Sequence, residues 1–172
     1  MGGFAARQLD AAERGLGLRL PAALHQRHDR LLSPRQLTVL DDHLVFYEEN
    51  QNVVLWGIRV PDLKRADPPV RQGQEHDGHS HWYPEFKSVS EFAQAHGAWQ
   101  AVMGGMRFVA HRASTKRVPK SLGSPDFESR RMKAWLIPGG LVVLAGGDYL
   151  AAGVRKRAAL ARLGEIDWDY VS

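Results

Sequence analysis

Three histidines crowd one short stretch: His76, His79 and His81 lie within EHDGHSH (75–81), with Glu75 and Asp77 among them. Imidazoles and carboxylates at this density are the donor types of a transition-metal site. No second cluster in the sequence completes a shell, and Gly78 loosens the stretch. A solvated loop is the expectation, with no metal and no other cofactor. Glu48 and Glu49 are adjacent carboxylates of the kind that general acid–base chemistry uses. Neighbours on a strand point to opposite faces, so a shared acid–base role is not expected of them. A serine hydrolase needs an activated serine. No G-x-S-x-G is present, and the serines fall at caps and loops. The glycine pairs at 104–105, 139–140 and 146–147 fit neither phosphate-loop pattern and read as turns. The chain has no cysteine, which removes thiolate zinc, disulfides and a thiol nucleophile. RKRAALAR (155–162) could face nucleic acid, but it carries no aromatic platform, and a solvated helix face is the simpler reading. The balance is against an enzyme.

These side chains must be positioned by elements. Leu9, Ala12, Glu13 and Leu16 have helical spacing, which predicts a helix over 6–16. A second helix opens at Leu20-Pro21, with Leu24, His28, Leu31 and Leu32 on its apolar side, and stops at Ser33-Pro34. Residues 43–49 and 53–60 are rich in β-branched and aromatic side chains and predict a hairpin around the turn Asn50-Gln51-Asn52. The two prolines of Asp67-Pro68-Pro69-Val70 cannot sit in a central ladder, so this stretch reads as a loop or an edge entry. RQGQEHDGHSH (71–81) reads as a polar surface loop, and His81–Phe86 as a short strand. Ser88-Val89-Ser90-Glu91 is a capping box, so a helix is expected over 89–103. Gly104-Gly105 ends it. Met106–His111 reads as a strand and 112–125 as a loop. Trp135–Ile137 and Leu141–Ala145 form a second hairpin, followed by a strand over 149–152. A basic helix is expected over 155–163, and the aromatic tail IDWDYV packs back. Helices first and then mixed strands and helices argue for an α+β fold with a largely antiparallel, multi-stranded sheet and helices packed around it.

The length of 172 residues fits a single domain, 1–172, large enough to bury roughly 70% of its unfolded surface. No apolar run reaches the ~20 residues of a membrane span, and MGGFAARQLDAAERG lacks a signal-peptide core, so a cytoplasmic protein is expected. Net charge is +4, unevenly spread. Residues 1–86 hold 10 basic and 12 acidic side chains, a net of −2, and residues 87–172 hold 13 and 7, a net of +6. A basic half suits an acidic protein or nucleic acid, or only a solvated surface.

Glu13 with LGLRLPAAL (16–24), the hairpin LVFYEENQNVVLWGI (44–58), DPPV (67–70) and SVSEFAQA (88–95) stand in a recognisable order. In this order the chain resembles the SUKH superfamily, named after a fungal cell-wall regulator and bacterial immunity proteins. The match covers roughly residues 13–104; residues 105–172, with their strands and basic helix, are similar to family C-terminal regions only loosely. The resemblance implies an α+β immunity protein, not an enzyme. Such a protein binds a cognate toxin of a polymorphic or contact-dependent system, a nuclease or other nucleic-acid-targeting toxin, and occludes its active site. Many such proteins are acidic, and this chain is basic. No small-molecule substrate and no membrane are implied. A protein interface needs a few aromatic or arginine anchors inside a polar rim. Trp56, Trp82 and Tyr83 are the expected anchors, with Glu48, Glu49, Asn50 and Asn52 as the rim. A scaffold or regulatory adaptor is the second reading, as the fungal relative suggests. A nucleic-acid-binding module using the basic half is the third.

Overall fold

A computed structural model describes residues 30–49, 53–76, 79–113, 118–164 and 166–171. The helix expected over 6–16, the start of the second helix and the Asn50–Asn52 turn lie outside them. The fold is α+β and mostly antiparallel sheet, and the chain divides into two compact units, 1–93 and 94–172.

The first unit is built on a six-stranded sheet. Its strands are β1 (Arg30–Leu31), β2 (Thr38–Leu40), β3 (His43–Glu48), β4 (Val54–Arg59), β5 (Val70–His76) and β6 (His79–Phe86). They run in the order β1-β3-β4-β5-β6, with β2 also on β3, and every pairing is antiparallel. The expected pairing of these two strands is there, each one residue shorter at its inner end and β4 one residue shorter at its outer end as well. Two expectations are corrected. Leu31 and Leu32 do not continue a helix: β1 pairs with β3 opposite Tyr47 and Glu48, and both leucines are buried. Residues 71–76 and 79–81 are not a loop. They supply most of β5 and the start of β6, a hairpin whose polar side chains hid its strand character.

Antiparallel partners share a face, so the register sorts this sheet. Tyr47, Trp56, Gln72 and Tyr83 lie across one face. Phe92, in helix α1 (Val89–Gly104), packs on it. The Phe92 ring meets Phe46 and Tyr47 at 5.1 Å and Phe86 at 5.5 Å, all edge-on, and Trp56 at 6.0 Å. Edge-to-face geometry sets positive ring edges against negative faces, which adds roughly 0.5–1.5 kcal/mol per pair beyond burial. α1 starts where the capping box places it: Ser88 Oγ accepts the Glu91 N–H at 3.1 Å. Glu91 reaches back one residue further than expected, to the Lys87 N–H. Asp67 Oδ1 accepts the Ser90 N–H at 3.0 Å.

The second unit holds β7 (Phe108–Arg112), β8 (Phe127–Glu128), β9 (Met132–Ile137), β10 (Gly140–Ala145), β11 (Tyr149–Val154), α2 (Ala158–Ala161) and β12 (Tyr170–Val171). The sheet order is β12-β7-β11-β10-β9-β8. Pro138-Gly139 links β9 to β10, with Gly139 at φ 78°, the pairing a type II turn wants. One sheet face buries Trp135, Val142, Leu144, Leu150, Ala152 and Val154 with Leu160 and Leu163. Ile166, Trp168 and Val171 pack against this core, so the tail returns to it as expected. The basic helix is far shorter than 155–163: only its four central residues are helical.

Among the described residues, no helix is long and apolar enough to cross a membrane.

Candidate functional site

The face of the first sheet opposite Phe92 carries an unusual aromatic arrangement. Trp82 stands on β6, at the end of the strand order. Neighbouring strands are about 4.8 Å apart, yet its ring stacks on His43 of β3, with centroids 4.1 Å apart and planes 8° from parallel. To get there the indole lies flat across β5 and β4. It can do so because both positions beneath it are glycine. A Cβ at Gly73 would stand 2.9 Å from the ring, and one at Gly57 3.0 Å from it. Any side chain at either position would lift the indole off the sheet. Glycine weakens a strand interior, and its usual reason there is the close approach of another group.

His43 is held by a tight turn. Asp41 and Asp42 link β2 to β3, and both have positive φ, 46° and 60°. Two left-handed residues in succession give the twist that a two-residue hairpin needs, and aspartate tolerates this better than most side chains. The turn directs the Asp41 carbonyl at the imidazole, whose Nδ1 donates to it at 2.6 Å. A carbonyl only accepts, so Nδ1 carries the proton and Nε2 is the acceptor. Burial lowers the His43 pKa, and the charges of Arg71 and Arg59 lower it further. The bond to Asp41 and the charge of Asp42 oppose this and do not prevail. The stack is therefore between two neutral rings.

His43 is 7% exposed, and its Nε2 has no hydrogen-bond partner among the described residues; nor has the buried indole Nε1 of Trp82. A buried polar atom without a partner costs about 1–3 kcal/mol. Packing alone would be served better by phenylalanine at both positions, so the pair is a local departure from the most stable choice.

Around the stack, Arg59 is exposed and Arg71 half-buried, and Leu40, opposite His43, is 37% exposed. Arg59 approaches Asp42 at 4.0 Å with both side chains largely in solvent, a contact worth little. An aromatic centre with arginines and an apolar neighbour beside it is the composition of an interface hot spot.

The residues expected to bind a partner separate. Trp82 and Glu48 lie on the face of the stack; Glu48 is half-buried opposite Leu55. Glu49 is half-buried beyond the end of β3, its N–H donating to the Val54 carbonyl at 2.9 Å. Trp56 is on the Phe92 side, 8% exposed, its ring edge-on to Tyr47 at 5.5 Å. Tyr83 shares that register face and is 49% exposed. Asn50 and Asn52 are outside the described residues. Sequence reasoning missed His43, Gly57, Gly73, Arg59 and Arg71. The readable signal was glycine inside VLWGIRV, where a strand pattern is broken by a residue with no side chain.

Of the histidine-rich stretch, Asp77 and Gly78 lie outside the described residues and His81 is exposed. Among the described residues, no group of three or more histidine, cysteine or acidic side chains is placed to hold a metal ion. His96, within α1, is pushed down to about 3 by burial and is neutral in the folded chain. Compared with family models, curated proteins and solved structures, the chain matches none.

Proposed function

We propose that this protein is a cytoplasmic immunity protein that binds a cognate toxin, a nuclease or other nucleic-acid-targeting enzyme, and covers its active site. The single observation that carries the binding role is the Trp82–His43 stack on its glycine floor, with Arg59 and Arg71 beside it. A rigid indole loses little conformational freedom on binding, and arginine forks pair with carboxylates in a fixed geometry. Nucleases that use metal ions gather carboxylates to hold them. An aromatic anchor flanked by guanidinium groups is complementary to such a cluster, which suits a basic rather than an acidic immunity protein. The ordered resemblance to the SUKH superfamily supports the immunity class independently of the stack.

The test is co-expression with the toxin encoded beside this gene. Protection of the cell, with a stable complex that the Trp82→Ala and Arg71→Ala variants weaken at least tenfold, is expected. Neither complex nor protection would sink the reading. Recovery of several cellular partners with no effect on toxicity would replace it with the adaptor reading.

A further inference from the structure

The second unit contains a concavity that the partner-binding reading does not use. A cavity of about 340 Å³ opens between the Pro138-Gly139 turn and the segment that leads into and out of α2. Arg155, Lys156 and Arg162 line it, with Ala158, Ala159, Pro138 and Gly139 as its uncharged wall. Small-ligand sites begin at about 300 Å³, so the space suits a compact group.

Three basic residues line this space, each exposed, and none has an ion-pair partner among the described residues. Four described carboxylates of the same unit are engaged elsewhere. Glu128 pairs with Lys133, Asp167 with Arg112, Asp126 accepts the Leu136 N–H and Asp169 the Ala113 N–H. Among the described residues, these like charges have no ion-pair partner to offset their mutual repulsion.

The wall is also firmly set. The Arg155 N–H donates to the Gly139 carbonyl at 2.9 Å, tying the cationic segment to the turn. A Cβ at Gly140 would stand 2.4 Å from the Gly153 carbonyl oxygen, so the strands close there only through glycine. Along a solvated helix face, basic side chains diverge into water. Here α2 is four residues long, and basic residues from before and after it line the same space as the Pro138-Gly139 turn.

We infer that this cavity binds a phosphate group, its charge neutralised by Arg155, Lys156 and Arg162. Guanidinium forks match phosphate oxygens two at a time, and lysine adds a point charge. The phosphate could belong to a small phosphorylated molecule or to a nucleic-acid backbone. The concave shape and small volume favour the former.

Calorimetric titration of the full chain with pyrophosphate, and separately with a single-stranded DNA 20-mer, tests this. Saturable pyrophosphate binding is expected, weakened at least tenfold in the Arg155→Gln/Arg162→Gln double variant. These side chains are exposed, so the variant should keep its melting temperature, which circular dichroism checks. Binding of the 20-mer that pyrophosphate displaces, and that is much tighter than pyrophosphate at low salt, would also support the inference and assign the phosphate to a backbone. Two results overturn it: no saturable binding of either probe at low salt, or binding that the folded double variant retains in full.

Discussion

At the scale of single residues, the informative positions are those with the least side chain. Gly57 and Gly73 make room for an indole, and the indole makes the site. Gly73→Val would place branched carbons where the ring now lies. Overpacking of this sort costs typically 1–3 kcal/mol. The expected outcome is a lower urea midpoint, together with a Trp82 that is more exposed to a fluorescence quencher. Trp82→Phe removes the partnerless indole N–H and keeps a flat ring. Its stability should stay closer to wild type than that of Trp82→Ala, which loses ring contacts altogether. If the glycine variant matched wild type in both readouts, the account of the floor would be wrong.

At the scale of elements, α1 shows how a distant residue finishes what a local motif starts. The Ser88–Glu91 box was legible because its spacing satisfies orphan amides within four residues. Asp67 was not, because it reaches the same helix end from 23 positions upstream. Burial by itself would raise the Asp67 pKa, but bonds from the Ser90 and Val89 amides and the Ser88 and Ser90 hydroxyls hold it below its ordinary value. A carboxyl lowered on folding stabilises the folded chain above its unfolded pKa, near 3.8, and loses that contribution as pH falls through its folded value. Asp67→Ala should therefore cost about 1 kcal/mol at neutral pH, in the range of helix-end carboxylates and caps. The difference from wild type should vanish in strong acid. Denaturation curves at pH 7 and pH 2 check both halves. The β5–β6 hairpin was illegible for a related reason. RQGQEHDGHSH has no apolar alternation, and its strands exist because β4 offers a ladder to pair with. Similarly, RKRAALAR has helical spacing, but only Ala158–Ala161 closes into a helix.

At the scale of the whole molecule, composition located the basic excess without locating any site. The +6 of residues 87–172 does not mark the face proposed to bind a partner, where the nearby cations are Arg59 and Arg71 of the half with a net of −2. A local pair of charges set beside an aromatic anchor decides contact; the total decides steering. Under the immunity reading the two effects separate kinetically. Raising salt from ~0.05 to ~0.5 M should slow association by roughly tenfold or more. Trp82→Ala should act mainly on dissociation. Stopped-flow measurements resolve the two, and salt-independent association would remove the electrostatic part of the model.

The place of Trp82 in the strand order has one more effect. β6 ends the described order of the first sheet, where a row of backbone donors would invite a second copy of the chain to pair and continue growing. Pro84 sits two residues beyond the tryptophan on that strand, exposed and without an N–H. It leaves a gap in the template that cross-chain pairing needs. The strand that carries the ring is thereby a poor seed for fibrils, and the molecule can keep a large aromatic residue at a sheet margin without polymerising through it.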